Sequence, residues 1–301
     1  MGVDIRQHPE GQGIVYTMDQ EVAIQAWLDE LDVGCVPGIR CPMPDSKKLY
    51  EVSGLLGPSE AQWYRSVVGT LNYFSTTTRY DISYSVSRLS QFSARPTVSA
   101  QTALIRVLRY MQNSPVLYLE ATALQGSKDV VEYYSDSNHA SDWPHTSRSQ
   151  TGIVITLNGA PVHWISTKQV RSTAYSSALA EIYALSEAVR HSQLYAWRCA
   201  DMQVPVTWPL CIQVDNKQAI SFQRGTCVQS KLRGCVDLRE AWVKELRDAG
   251  KVATKKVSSE RQKADVLTKC FPNWLFQQRL NLLKSKRGNE RLVQFAKLCN
   301  G

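Results

Sequence analysis

Residues 133–143 read YYSDSNHASDW and follow the apolar pair Val130 and Val131. A run of β-forming residues here delivers one aspartate, Asp136, into a polar, turn-like stretch. Two structures fit: an ordinary strand ending in a solvated loop, or a strand holding a metal-binding carboxylate at its tip. Asp is a common turn residue, so the stretch alone leaves both readings open. What decides between them is whether the rest of the chain carries other carboxylates to the same place.

From about residue 128 the pattern is one of strands. VVEYYSD, TGIVITLNG and PVHWISTK are β-rich runs with short turns between them, and Asn158-Gly159 is a strong hairpin signal, so an antiparallel meander is expected. SSALAEIYALSEAVRHSQLYAWRCA reads as a long amphipathic helix, with Leu179, Ile182, Tyr183, Leu185, Ala188 and Val189 on its apolar face. LCIQVD is a short, continuously apolar strand of the buried type that ends at Asp215. NKQAISFQ and LREAWVKELRDAG then read as helices, KVATKKVS as a strand, and QKADVLTKCF as the start of a further helix. This order predicts a layered α/β domain over residues 128–285.

The preceding chain is different. GVDIRQ and GIVYTM flank a turn with Pro9 and Gly11 and predict a hairpin. Asp19 is placed to cap a helix over QEVAIQAWLDEL, whose Val22, Ala23, Ala26, Trp27 and Leu31 recur at helical spacing. Residues 32–58 are rich in Gly and Pro and read as linker, closing a first segment at residue 57. Over 58–127, Ser59, Tyr80 and Thr97 introduce three helical runs, a small helical subdomain with no cluster suited to catalysis. Residues 286–301 read as a basic, solvated tail.

Composition sets limits. With 43% hydrophobic and 21% charged residues, a chain of 301 residues is expected to bury real cores. No window approaches eighteen consecutive apolar residues, and the N-terminus lacks the basic and apolar regions of a signal peptide. Neither a membrane span nor secretion is therefore expected. Eight scattered cysteines, with no C-x-x-C pair, suit reduced thiols in an intracellular compartment. A net charge of +8 favours an anionic partner.

Four carboxylates now fall at related places: Asp136 near the end of the first strand of the α/β domain, Glu181 early in the long helix, Asp215 at the end of the buried strand, and Asp265 at the start of the late helix. Ligand chemistry in layered α/β domains gathers at strand ends and adjacent helix termini. Singly, Glu181 reads as a surface charge, Asp215 as a helix cap and Asp265 as a first-turn dipole partner. Together they read as a set that could converge on one edge.

The ordered motifs YSDSNHASD, SRSQTGIVITLNGAPVHWISTKQ, YSSALAEIYALSEA, IQVDNKQAI and KADVLTK resemble the ribonuclease H domain of copia-type LTR retrotransposon polyproteins. Upstream, YRSVVGTLNYFSTTTRYDISYSVSRLSQFSARPT and RVLRYMQ look like the segment joining reverse transcriptase to that domain, and residues 2–31 resemble the end of the reverse transcriptase region. The resemblance implies a ribonuclease H-like fold, a mixed sheet with helices on its faces. It also implies an acid quartet, matched by Asp136, Glu181, Asp215 and Asp265, that holds two Mg²⁺ ions about 4 Å apart, with Mn²⁺ as a substitute. The expected activity is endonucleolytic cleavage of the RNA strand of RNA–DNA hybrids, in the cytoplasm or nucleus, with the rest of the polyprotein as a second partner. Lys168, Arg171, Asn216 and Lys217 are candidates for substrate contact.

Some positions depart from the family. His139 stands where it has Trp, Leu179 where a second acid is common, and LRGCVDLR keeps Asp237 but has Gly234 and Cys235 in place of a basic residue and a histidine. These changes bear on substrate grip more than on chemistry. The reverse transcriptase motif Tyr-x-Asp-Asp is absent, so no polymerase activity is expected. His139 and His145 lie near Asp136, but Mg²⁺ prefers oxygen. Trp164 reads as core. Against the enzyme stands a second reading, a silent or repurposed element fragment that binds nucleic acid or serves a structural role. The intact quartet favours the enzyme; the altered LRGCVDLR favours the fragment.

Overall fold

The computed structural model describes residues 2–10, 13–124, 129–141, 143, 145–170, 177–224 and 238–284. The chain forms two compact units, Met1–Ser127 together with Lys269–Gly301, and Lys128–Thr268. The second unit thus closes at Thr268, whereas the α/β segment read from the sequence runs to 285.

In the first unit, β1 (Asp4–Glu10) and β2 (Gly13–Asp19) form the expected antiparallel hairpin, and β3 (Leu119–Leu124) adds to β2 with Val15 opposite Thr122. LEATAL carries one β-branched residue, so nothing local announced β3; pairing makes it a strand. Pro9 is accommodated because β1 lies at the sheet edge. Helix α1 (Glu21–Leu31) starts where Asp19 accepts the Glu21 N–H at 3.0 Å. Its buried residues are Ile24 and Leu28, one turn apart, while Val22 is 68% exposed. The apolar face read from the sequence was therefore partly right: Ala23, Trp27 and Leu31 are half-buried, whereas Val22 and Ala26 are exposed. Of its members, Trp27 packs inward, its ring centroid 5.4 Å from that of Phe74.

Three helices follow, α2 (Pro58–Thr77), α3 (Ser83–Ser90) and α4 (Val98–Asn113). The cap of α2 is Gly57 rather than Ser59: Pro58 takes the first helical position, and the Glu60 carboxylate reaches back to the Gly57 N–H at 3.1 Å. Thr97 caps α4 through the Ala100 N–H. Between these helices Arg79 and Asp81, both buried, form a two-pronged pair at 2.9 and 2.8 Å, and the Tyr110 hydroxyl donates to Asp81 at 2.7 Å. Burial alone would raise the Asp81 carboxyl, but the Arg79 guanidinium and the Tyr110 hydroxyl hold it below the ordinary carboxylate range.

The second unit is built on a five-stranded sheet of β4 (Val131–Asn138), β5 (Gln150–Leu157), β6 (Ala160–Lys168), β7 (Leu210–Val214) and β8 (Val252–Lys256), in the order β6-β5-β4-β7-β8. Strands β4 to β6 are the predicted meander, and Asn158 (φ 50°) and Gly159 (φ 87°) both take the left-handed conformation that a two-residue hairpin turn requires. β7 runs parallel to β4, and β8 parallel to β7. Helix α5 (Ser177–Asp201) lays Leu185, Ala188 and Val189 on Tyr133, Ile153, Ile155 and Ile212. Helices α6 (Lys217–Gln223) and α7 (Leu238–Asp248) lie between β7 and β8 in sequence, and Ile220, Val243 and Leu246 join the same core. This mixed sheet with flanking helices is the ribonuclease H-like fold expected. Because β4 and β7 are parallel, Asp136 near the end of one and Asp215 just past the other lie toward the same edge.

One expected helix is not there. KADVLTK forms a 3₁₀ turn, Lys263–Leu267, and the α-helix, α8 (Asn273–Leu280), begins only after Pro272. The sheet takes the carbonyls that a helix would have used: Ser166 Oγ donates to the Leu267 carbonyl at 2.6 Å and Asn138 Nδ2 to that of Thr268 at 3.2 Å. Gly152, opposite Asp136 on β5, leaves room for this segment. A Cβ there would lie 2.6 Å from Thr268 Cγ2, 2.8 Å from the Ala264 carbonyl oxygen and 3.0 Å from Leu267 Cβ. Backbone cannot yield as a flexible side chain can, so Gly152→Ala is expected to cost about 1–3 kcal/mol, as overpacking does. Urea unfolding measures it; an unchanged midpoint would show that the segment moves aside freely.

Candidate metal centre

Asp136 is buried in β4, Glu181 is buried in α5, and Asp215 follows β7 at intermediate exposure. One carboxylate oxygen from each lies within 4.8 Å of the others. Three elements far apart in sequence therefore bring acids to one point. Unit charges about 4 Å apart repel by roughly 4 kcal/mol at an effective dielectric near 20. A divalent cation relieves that repulsion, and three carboxylates are the hard oxygen donors that Mg²⁺, Mn²⁺ or Ca²⁺ takes. The residues present fit such an ion.

Neighbouring side chains hold Asp136 and Asp215. Asn216, not Asp215, caps α6: its Oδ1 accepts the N–H groups of Gln218 at 2.8 Å and Ala219 at 3.2 Å. Asp215 is thus not spent as a cap, and its Oδ2 accepts from the Ser259 hydroxyl at 2.9 Å. Asp136 Oδ2 accepts from the Thr268 hydroxyl. Beside Glu181, the buried Gln169 ties strand to helix, its Nε2 donating to Thr151 Oγ1 and to the Ala180 carbonyl, both at 3.0 Å. Gln262, fully buried, donates to the Ser135 carbonyl at 2.9 Å and caps the 3₁₀ turn by accepting the Ala264 N–H. Lys263 pairs with Glu132 at 2.7 Å; burial would raise that carboxyl, but the lysine holds it below its usual range.

The fourth carboxylate, Asp265, is buried on the 3₁₀ turn but lies outside the group of three. The segment that carries it meets Asp136 through Thr268. Lys168, half-buried at the end of β6, lines a groove with Thr151, Tyr183 and Arg190. Lys217 is exposed at the first position of α6, two residues past Asp215. Arg171 and residues 232–237 of LRGCVDLR, with Asp237, lie outside the described residues. His139 and His145 are exposed and outside the acidic group, and Trp164 is half-buried. Sequence reasoning missed Thr268, Gln262, Gln169 and Gly152; all four lay in stretches that had been quoted, but no local signal set them apart from their neighbours.

No protein-family profile matches the chain. It is similar to the retrovirus-related Pol polyprotein from transposon RE1 of Arabidopsis thaliana, 29% identical over 281 residues, which is 92% of this chain and 18% of that protein. The chain therefore spans under a fifth of that relative. It is also 41% identical over 129 residues to the secreted RxLR effector protein 161 of Plasmopara viticola, 43% of this chain and 88% of that protein. Among solved structures, LC11-RNase H1 in complex with an RNA/DNA hybrid is similar with a TM-score of 0.36 and 16% identity, over 46% of this chain and 94% of that one.

Proposed function

We propose that this chain, which belongs to the retrovirus-related Pol polyproteins of transposons, acts as a metal-dependent ribonuclease that cuts the RNA strand of RNA–DNA hybrids inside the cell. The observation that carries this reading is the meeting of Asp136, Glu181 and Asp215 within 4.8 Å on a ribonuclease H-like sheet. Those three residues would hold the divalent ions, and Asp265, which the family resemblance makes the fourth acid, would join them. An ion bound there would supply a more acidic water and would stabilise the leaving oxygen. The protein's share is to hold the carboxylates in place: Gln169 fixes the start of α5 beside Glu181, and the chain after β8 braces Asp136 and Asp215. Lys168 and Lys217 would contact backbone phosphates, and 2′-hydroxyls would mark the RNA strand, so sequence preference should be slight.

The purified chain is expected to cleave end-labelled hybrid RNA in Mg²⁺ and to stop when chelator is added. Equal cleavage of duplex DNA under the same conditions would overturn the substrate assignment, and no cleavage of any substrate would overturn the enzyme. The relative named an effector raises a second reading, a chain acting outside the cell. The letters of that name occur here once, as Arg106-Val107-Leu108-Arg109. They lie inside α4 with Val107 and Leu108 fully buried, so the folded unit does not display them as an open tetrapeptide.

A further inference from the structure

Residues 258–268, which follow β8, touch two of the three clustered acids through hydroxyls: Thr268 donates to Asp136 and Ser259 to Asp215. We propose that Thr268 is a positioning residue that aims the Asp136 carboxylate at the metal, with Ser259 doing the same for Asp215 from a more exposed place. The inference rests on the reading of the acidic group as a metal centre.

The geometry gives Thr268 little freedom. Its backbone carbonyl receives the Asn138 amide at 3.2 Å, and its Oγ1 lies 3.1 Å from the Asp265 carbonyl. A side chain at Gly152 would strike its methyl at 2.6 Å, which shows how closely the methyl sits against β5. Gln262 and Ser166 fasten the same segment to β4 and β6. A hydroxyl so held keeps Asp136 Oδ2 engaged, which fixes the rotamer in which the carboxylate meets Glu181 and Asp215. Outer partners of this kind govern metal affinity because they set ligand orientation before the ion arrives.

Thr268→Val keeps the shape and the methyl group and removes only the donor, while Thr268→Ser keeps the donor and removes the methyl. Calorimetric Mn²⁺ binding to the complete chain, free of nucleic acid, is the principal readout, with Mg²⁺-dependent hybrid cleavage beside it. Thr268→Val is expected to lose about ten- to a hundredfold in Mn²⁺ affinity, the usual effect of an outer partner. Thr268→Ser is expected to stay near the parent in affinity even where it melts lower. Parent-like binding by Thr268→Val overturns the proposal, as does an equal loss in both variants, which would make the residue a packing element. A parent chain that binds no Mn²⁺ removes the metal-centre reading and this role together, whereas a parent that binds beside an unchanged Thr268→Val removes this role alone.

Discussion

Asp136→Asn is expected to abolish hybrid cleavage, by about a thousandfold or more given the weight that metal sites carry in such reactions, while leaving the metal-free protein as stable as the parent or more so. The two halves of that expectation have one cause. Asp136 is 1% exposed and shares a point with Glu181 and Asp215, so without metal the fold holds three acids that repel one another. Asparagine keeps the shape, can still accept from the Thr268 hydroxyl, and removes one charge. Mg²⁺ should then raise the melting temperature of the parent more than that of the variant, because only binding to the folded state shifts unfolding. Melting curves with chelator and with Mg²⁺, read beside the cleavage rate, measure both. A variant that melts well below the parent, cuts at the parent's rate and responds equally to Mg²⁺ would show Asp136 to be an ordinary strand-end residue.

The sequence made the second unit legible because its elements carry strong local signals. The meander shows in β-branched runs and Asn158-Gly159, and α5 in a long apolar stripe. Position along such elements suggested that Asp136, Glu181, Asp215 and Asp265 could converge, and the first three do meet within 4.8 Å. What escaped was set by partners distant in sequence. β3 becomes a strand only because β2 lies beside it. KADVLTK has helical composition, yet Ser166 and Asn138 take its carbonyls, and the turn that results brings the Thr268 hydroxyl to Asp136. In α1 the apolar residues surround much of the helix, so spacing alone did not choose between the face with Val22 and the one with Ile24 and Leu28. Gly152 looked like any glycine in a strand, and its reason is a neighbouring segment more than a hundred residues on.

Asp81→Ala is expected to cost the first unit about 3–5 kcal/mol, the range for stripping one partner from a buried ion pair. Arg79 and Asp81 are each 1–2% exposed and meet through two hydrogen bonds, with Tyr110 donating a third. Removing the carboxylate leaves the guanidinium charged in a place without water and orphans the Tyr110 hydroxyl. The size of the loss should not be read as the worth of the pair, since desolvating both charges was costly to begin with. The combination Arg79→Met, Asp81→Leu and Tyr110→Phe, which removes the pair and the hydroxyl bonded to it, should therefore recover part of what Asp81→Ala loses, less what the half-buried Lys284 forfeits without Asp81. Hydrogen exchange of peptides from α2 and α4 measures the effect in this unit directly. The pH dependence has a definite sign. Folding lowers the Asp81 pKa, so its contribution is complete above the ordinary carboxylate value and is lost as pH falls through the folded one. The gap between parent and Asp81→Ala should narrow in acid, and a gap that widened there, or a triple variant no better than Asp81→Ala, would show that the group is held by packing and not by charge.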